Sequence, residues 1–338
     1  MDFVIGIDGG GTRTRAWLTS LDGRVVSRGE AGGSNVHQKG VEASCRMLVE
    51  AVAMARTRAS RSGVQLNARP RAVFAGVAGA GAVRDQRALE AALAPALLCH
   101  QENCTVDHDL RIALAGGLGG APGLVIVAGT GSACYGRVSE GLSWKAGGWG
   151  PAVDDLGSGY WLGVESMRAV VQAADGRRMP TPLSDAVLTA LGATTPREMI
   201  DRFRDATRSG MDRAVASALA PTVIGAAESG DHAALEILRR GAEALAAMAT
   251  AVVERLAVDA PRLEQGVTAG GLLETEGFYF RLVREAVGRV LPGFALSAVR
   301  LPPVAGAVLL ALEQALGALP AAVTENVAAA ASGAAEPA

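Results

Sequence analysis

The sequence contains one unit twice: an apolar run, a glycine-rich loop, and further β-rich runs joined by a turn. The first copy begins at Phe3–Ile7, continues through Gly9-Gly10-Gly11-Thr12 and reaches a second β-rich run at Arg15–Leu18. The second copy begins at Gly123–Ala128 and continues through Gly129-Thr130-Gly131-Ser132. Short β-rich runs bounded by glycine turns predict strands. A chain of 338 residues has the length of about two domains, so the repetition predicts duplicated α/β domains.

Helical periodicity fills most of the remaining chain, chiefly at residues 41–60, 84–97 and 158–257, with a last helix at 304–319. We expect an N-terminal domain of residues 1–118 joined by about 304–320, and a C-terminal domain of 119–303 with helical insertions. Residues 321–338 are rich in alanine and poor in large apolar side chains. They are therefore predicted to be a disordered tail.

Composition narrows the functional class. The chain has 32 basic and 34 acidic residues, so it lacks the basic excess of a dedicated nucleic-acid binder. The acidic start and the interrupted apolar stretch at 304–319 predict neither a signal peptide nor a membrane span. None of the four cysteines (Cys45, Cys99, Cys104 and Cys134) forms a C-x-x-C pair. We therefore expect a cytoplasmic protein with no nucleic-acid or membrane partner.

The two glycine loops are the first candidate binding elements. Glycine lets backbone N–H groups approach an anion closely, and Thr12 adds a hydroxyl donor. A plain hairpin loop is the alternative, but a two-residue hairpin needs only one glycine. The only lysines are Lys39 and Lys145, so the chain contains no Walker-type loop. Two loops on separate strand units indicate that both ends of a polyphosphate are held, with Asp8 holding Mg²⁺ through water.

A candidate general base lies in Asp107-His108-Asp109, where a predicted strand ends and a helix begins. Asp109 could accept a proton from a substrate hydroxyl during phosphoryl transfer. The alternative is that Asp109 is the N-cap of the helix, which is a common role of aspartate at this position. Asp107 is the second candidate for the base.

Two further motifs combine glycine with groups that can contact a ligand. Trp149, within Gly147-Gly148-Trp149-Gly150, could stack on a sugar ring or pack in the core, and Asp155 could accept from sugar hydroxyls. Trp161 is expected to pack in the core. Gly270-Gly271 follows an apolar run and could lie against adenine or form the entry turn of a helix.

These motifs together resemble the actin/Hsp70/hexokinase-like ATPase superfamily, and within it the N-acetylglucosamine kinase and BadF/BadG/BcrA/BcrD branch. The resemblance is carried by Gly6–Thr12, Ala128–Ser132, Gly147–Gly150 and Asp155–Gly163. The run Ala174-Asp175-Gly176-Arg177 is similar to bacterial glucosamine kinases. The resemblance implies duplicated actin-like (ribonuclease H-like) domains with ATP in a cleft between them.

The resemblance also implies roles for individual residues. Asp109 would remove the proton of the sugar 6-hydroxyl, and Asp8 and Thr12 would serve the Mg²⁺–phosphate group. The ATP and phosphate contacts would be Asp8, Gly10, Gly11, Thr12, Gly129, Thr130, Gly131, Ser132, Gly270 and Gly271. The sugar contacts would be Asn35, Ala78, Asp109, Thr130, Trp149 and Asp155. Ala78 stands where animal N-acetylglucosamine kinases carry a sugar-contacting serine, and it offers no hydroxyl.

The predicted function is an ATP-dependent kinase acting on the 6-hydroxyl of an amino sugar. N-acetylglucosamine is the first choice and glucosamine a close second, with N-acetylmuramic acid also open; the family implies a homodimer. One alternative is a BadF-type ATPase that activates a dehydratase through an iron–sulfur cluster, which would need cysteine ligands. Another is a sugar-sensing protein without catalytic activity.

Overall fold

The computed structural model describes residues 1–139 and 141–332, so Glu140 of the predicted turn and the last six residues lie outside it. The chain divides into a first unit of Met1–Ala121 with the C-terminal residues from Val299, and a second unit of Pro122–Ala298. The sequence predicts divisions after residues 118 and 303, and the structure has them after Ala121 and Ala298.

Each unit is built on one five-stranded sheet with helices on its faces. The strands are β1 Phe3–Gly9, β2 Arg13–Ser20, β3 Val25–Gly32, β4 Val73–Val77, β5 Cys104–His108, β6 Gly123–Ala128, β7 Ser132–Ser139, β8 Leu142–Gly147, β9 Gln265–Ala269 and β10 Ala295–Ala298. The helices are α1 Val36–Arg61, α2 Val83–Ala96, α3 Asp109–Leu118, α4 Gly159–Ala174, α5 Leu183–Ala190, α6 Pro196–Arg208, α7 Asp212–Ser217, α8 Ala220–Glu228, α9 His232–Leu256, α10 Phe278–Val290, α11 Pro303–Leu316 and α12 Ala321–Ala331.

The two sheets have the same topology. In the first unit the strand order is β3-β2-β1-β4-β5, and in the second it is β8-β7-β6-β9-β10. In each, the first three strands form an antiparallel meander, and the last two run parallel to the first strand of the meander. This repetition confirms the predicted duplication of an α/β domain.

The central strand β1 is apolar along nearly its whole length because helices cover both of its faces. Phe3, Ile5 and Ile7 pack in one cluster with α1, and Val4 packs in the opposite cluster with α11. Gly6 permits this second contact, since a Cβ there would lie 2.5 Å from the backbone nitrogen of Val308. The alternating sides of the strand therefore fill two separate cores.

Helix α11 also lies close to α3, and this contact depends on a second glycine. A Cβ on Gly306 would lie 2.5 Å from the backbone nitrogen of Gly116 and would overlap the Ile112 carbonyl oxygen. Gly306→Ala should therefore destabilise the protein by ~1–3 kcal/mol, because two helix backbones would have to separate. The measurement is the free energy of unfolding in urea.

Gly225→Ala is the matched control for this substitution. Gly225 is also inside a helix, α8, but it is exposed and a Cβ there meets nothing within 4 Å. Alanine should stabilise that helix by ~0.5–1 kcal/mol, because alanine has the higher helix propensity. Equal effects of the two substitutions would contradict the proposed close packing of α11 on α3.

The C-terminal segment differs from its prediction. Residues 321–331 form α12 instead of a disordered tail, whereas 333–338 lie outside the described residues. Val323 and Val327, one helical turn apart, are buried in the cluster that contains Trp17. Asn326 Nδ2 also donates to the Asp22 carbonyl oxygen over 2.8 Å. The helix is thus stabilised by tertiary contacts that its own alanine-rich composition does not reveal.

Two smaller features complete the fold. Strand β10 is not predicted from the sequence, because Ala295–Ala298 is short and lacks the β-branched residues typical of a strand. No helix within the described ranges is both long and apolar enough to cross a bilayer.

Candidate functional site

In the first unit, three predicted site residues lie at one edge of the sheet. Strands β1, β4 and β5 are adjacent and parallel, with Asp8 opposite Gly76 and Gly76 opposite Asp107. Asp8 is near the end of β1, Ala78 follows β4, and Asp109 follows β5. Because the carboxyl ends of parallel strands meet at a single edge, the fold brings these residues together, and ligands of open α/β sheets bind at such edges.

Asn35 joins the same edge through backbone contacts. The Ala78 N–H donates to the Gly9 carbonyl oxygen over 2.7 Å, and the Ala78 carbonyl accepts from the Val36 N–H over 3.0 Å. The Asn35 side chain caps α1 by accepting from the Gln38 N–H over 3.3 Å. Its Oδ1 atom would lie only 2.8 Å from a Cβ on Gly79, which has a φ of +81°. Asn35 and the loop after β4 are therefore in direct contact.

The first glycine loop is a short connection between β1 and β2. Gly10 donates to the Arg13 carbonyl over 3.0 Å and accepts from the Ser34 N–H over 2.9 Å. Gly11 and Thr12 are exposed, and a Cβ on Gly11 would meet nothing within 4 Å. The base of the loop is held in place while its tip stays open to a ligand.

Asp8 is a largely buried acid whose charge is only partly compensated. Its side chain is 16% exposed, and its carboxylate lies 3.9 Å from the Arg15 guanidinium. Burial, together with the charge of Asp109, raises the pKa of Asp8 to about 6, while Arg15 and Arg13 lower it. A bound cation would stabilise the ionised form of a carboxylate that is buried and only partly compensated.

Asp109 is not the N-cap of α3, so that interpretation is wrong. His108 occupies the cap position, and its Nδ1 accepts from the Arg111 N–H over 3.2 Å. Asp109 is the first residue of the helix, and its carboxylate accepts from the Leu110 N–H over 3.1 Å. The imidazole thus replaces the carboxylate in capping, which leaves the Asp109 carboxylate available to a substrate.

Asp107, the second candidate for the base, is held by several neighbours. Its carboxylate accepts from the His108 N–H over 2.7 Å and from Gln86 Nε2 over 3.3 Å. The Arg111 guanidinium lies 4.0 Å away, and Gln86 also donates to the Ala80 carbonyl over 2.8 Å. Asp107 therefore ties β5 to the loop after β4, which is a structural role.

In the second unit, the two predicted glycine turns meet at the corresponding edge. Gly129–Ser132 follows β6, and Gly270 follows the parallel neighbour β9. Gly270 has a φ of +87°, and a Cβ there would lie 2.5 Å from the Ala128 carbonyl oxygen. The adjacent Gly271 is exposed with open space around it. The second sheet therefore presents two glycine turns side by side.

The Gly129–Ser132 loop is fastened to the start of α4. The Gly129 carbonyl accepts from the Gly159 N–H over 2.7 Å, and the Thr130 carbonyl accepts from the Tyr160 N–H over 3.3 Å. The Ser132 hydroxyl donates to the Leu156 carbonyl over 2.7 Å. Asp155 is buried beside this loop, with Oδ1 3.5 Å from the Ser132 nitrogen.

The two tryptophans differ in their surroundings. Trp149 is 82% exposed, so the core-packing interpretation of this residue is wrong. Its backbone N–H donates to Asp154 over 3.2 Å, and its ring is available to a ligand. Trp161 packs against the core of the second unit, as expected, and the Arg240 guanidinium lies 5.4 Å from its ring centroid.

Two charged residues that contact site carboxylates are not among the residues predicted from the sequence. Arg15 faces Asp8 across the β1–β2 hairpin, and the register of a short antiparallel hairpin could have indicated it. Arg213 lies 3.4 Å from Asp155, 58 residues away in sequence. No local pattern links those two residues.

The four cysteines are unpaired: Cys104 and Cys134 are buried, and Cys45 and Cys99 are half-buried. Burial raises the pKa of the Cys104 thiol to about 12. Across residues 1–139 and 141–332, no group of three or more His, Cys, Asp or Glu side chains is placed to hold a metal ion.

Comparison with known proteins shows the family to which this chain belongs. The sequence profile of the BadF/BadG/BcrA/BcrD ATPase family matches residues 5–311. The chain is 30% identical over 311 residues to the N-acetylmuramic acid/N-acetylglucosamine kinase of Clostridium acetobutylicum, covering 92% of this chain and 98% of that protein. It is 30% identical over 243 residues to the glucosamine kinase GspK of Vibrio cholerae, covering 72% and 77%.

A solved structure shares the fold. The crystal structure of a Chromobacterium violaceum protein, provisionally assigned as an N-acetylglucosamine kinase, superposes with a TM-score of 0.68 at 27% identity. The match covers 92% of this chain and 99% of that one, which confirms the predicted duplicated actin-like fold. On the profile match and the extent of the sequence identity, this chain belongs to the BadF/BadG/BcrA/BcrD ATPase family.

Proposed function

We propose that the protein is an ATP-dependent kinase that phosphorylates the 6-hydroxyl of an amino sugar, with N-acetylglucosamine preferred and glucosamine second. The named relatives are sugar kinases, and they support this reaction class. The observation that carries the proposal is Asp109, a carboxylate at the carboxyl edge of a parallel sheet that does not serve as the helix cap. It lies at the edge that also carries Asp8, Asn35 and Ala78.

Asp109 is assigned the role of general base. The 6-hydroxyl oxygen attacks the γ-phosphorus of ATP, its proton passes to the Asp109 carboxylate, and ADP leaves. Asp109 is the first residue of α3, which fixes its carboxylate at the carboxyl edge of the sheet.

The glycine turns are assigned to the nucleotide. Gly11 and Thr12 in the first unit, and Thr130 and Gly131 in the second, are assigned backbone N–H groups and hydroxyls that donate to phosphate oxygens. Gly10, Gly129 and Ser132 belong to the same turns, and their own donors hold the turns in shape. Gly270 and Gly271 are assigned to the nucleoside end, because Gly271 has open space for a flat ring.

Asp8 fits a magnesium ion. Its carboxylate is mostly buried with its nearest guanidinium 3.9 Å away, and burial raises its pKa. Mg²⁺ is usually held by one or two carboxylates plus water and phosphate oxygens, so one carboxylate is sufficient. When bound, the ion would neutralise charge on the transferring phosphoryl group.

The sugar contacts are proposed from position. Asn35 and Ala78 lie together beside the base, and Trp149 offers an exposed ring to a sugar face. Thr130 is exposed in the second glycine loop, and Asp155 lies beneath that loop. Ala78 presents only a methyl group and offers no hydroxyl to the acetamido group of N-acetylglucosamine. Glucosamine, which lacks that group, therefore stays as the second substrate.

The test is ADP release from Mg-ATP with N-acetylglucosamine, glucosamine, N-acetylmuramic acid or glucose, each against a control without sugar. We expect turnover that depends on the amino sugar and is highest with N-acetylglucosamine. Phosphorus NMR of the product would show whether the phosphate is on the 6-hydroxyl.

Two results would contradict the proposal. Hydrolysis of ATP at the same rate with and without sugar would indicate an ATPase without a sugar acceptor. A preference for glucose over every amino sugar would keep the kinase and overturn the amino-sugar assignment.

A further inference from the structure

Asp155 is an almost fully buried acid with a left-handed backbone conformation. It is 3% exposed and has a φ of +59°, a left-handed conformation that is uncommon outside glycine. Aspartate enters this region more readily than most residues, but a buried carboxylate still needs partners. Such strained residues persist only where the surrounding structure holds them.

The carboxylate of Asp155 packs directly on the second glycine loop. A Cβ on Gly131 would lie 3.0 Å from Oδ2 and 3.2 Å from Oδ1, so both oxygens face the backbone of that loop. Oδ1 lies 3.5 Å from the Ser132 N–H, and the Gly150 N–H also favours the ionised form. A displacement of this carboxylate would therefore displace the loop.

Arg213 compensates the buried charge. Its Nη2 atom lies 3.4 Å from Oδ2 of Asp155, while Oδ1 faces Ser132. Burial raises the pKa of Asp155, and the negative charge of Asp154 raises it further, whereas Arg213 lowers it. Arg213 and Asp154 are the charged side chains that act on Asp155 among the residues that the structure describes.

Arg213 comes from a part of the chain without other site residues. It lies in α7, after the strongly charged α6, and its side chain is 44% exposed while that of Asp155 is 4% exposed. The guanidinium therefore reaches inward from the surface of the second unit to a buried acid. This arrangement links α7 to the Gly129–Ser132 loop.

We propose that Arg213 is a positioning residue for the Gly129–Ser132 loop and acts through Asp155. The Arg213 guanidinium holds Oδ2 of Asp155, so Oδ1 stays directed at the Ser132 N–H, and this contact holds the loop in the shape that receives phosphate. The phosphate-binding part of this inference rests on the proposed function, whereas the ordering of the loop does not.

The experiment compares Arg213→Met with Arg240→Met. Arg240 also pairs with a buried acid in the second unit, Glu165, at 2.9 Å, and the two side chains are 47% and 8% exposed. The control therefore removes an arginine from a buried acid that lies within α4, away from the start of the helix, and that keeps a second partner, Arg168. Arg213→Lys tests rescue, because the contact to Asp155 involves a single nitrogen that an ammonium can replace.

Three readouts are expected to separate the variants. Hydrogen exchange of the Gly129–Ser132 amides in the ligand-free protein should become faster in Arg213→Met and stay unchanged in Arg240→Met. The kcat/KM for ATP should fall roughly 10–100-fold in Arg213→Met, since a small misplacement of a binding group is costly. The acid limb of its pH profile should move to higher pH, because Asp155 protonates more readily without Arg213, and lysine should restore it.

The outcomes are distinguishable. The positioning role would be overturned if the Gly129–Ser132 amides of Arg213→Met exchanged at the wild-type rate. It would also be overturned if exchange were accelerated equally in both methionine variants. Faster exchange with an unchanged kcat/KM for ATP would overturn the link to phosphate. Absence of sugar-dependent turnover in the wild type would contradict the proposed function, and the exchange data would then decide the role of Arg213 by themselves. If Arg213→Met does not fold, Arg213→Gln gives the same comparison with a polar head retained.

Discussion

Asp109→Asn is expected to lower kcat by about 10²–10⁴-fold while leaving the binding of ATP intact. Asparagine keeps the size and polarity of the side chain but cannot accept the proton of the sugar hydroxyl, and a general base contributes an effect of this size. The cap of α3 is His108, so the helix does not depend on the substituted carboxylate. Steady-state turnover with N-acetylglucosamine measures the loss, and calorimetric titration with ADP measures nucleotide binding.

Asp107→Asn is the matched control, two residues away on the same segment. Asp107 is engaged by the His108 N–H, Gln86 and Arg111, so its substitution should lower stability more than chemistry. Near-normal turnover in Asp109→Asn, combined with a large loss in Asp107→Asn, would transfer the base assignment to Asp107.

Asp8→Asn is expected to make the protein more stable and less active. Asp8 has a pKa raised to about 6 from 3.8, so the folded state binds its proton more tightly than the unfolded state. Stability from this group is therefore highest below pH 3.8, falls as the pH rises to about 6 and stays low above that. Removing the charge should recover ~2–3 kcal/mol at pH 7.5. Turnover should fall roughly a hundredfold or more, because the proposed magnesium ligand is lost.

The measurement is the free energy of unfolding of Asp8→Asn and wild type at pH 4 and pH 7.5, with the difference growing at the higher pH. Asp22→Asn serves as a control of opposite sign, since the Ser20 hydroxyl lowers the pKa of Asp22. Loss of the Asp22 carboxylate should destabilise the protein at pH 7.5. A destabilised Asp8→Asn variant at that pH would contradict the description of Asp8 as a poorly compensated buried charge.

Much of the fold was predictable because its signals are local. The two strand units were indicated by apolar runs of strand length that end in glycine turns, and each run forms the central strand of a sheet. Asp8 and Asp109 were found because each follows the apolar part of a predicted strand, and parallel strands bring their carboxyl ends to one edge. The resemblance of the same motifs to a known family, confirmed by comparison, rests on those local letters too.

The sequence by itself thus determined the duplicated α/β plan, the glycine turns and the acids that follow the strands, since each depends on neighbours a few positions apart. Tertiary structure alone decided that Trp149 is exposed and that α12 folds onto the first sheet. It also decided that Arg213 meets Asp155. These outcomes depend on which distant groups compete for the same donor, apolar surface or buried charge, and spacing along the chain carries no record of that competition.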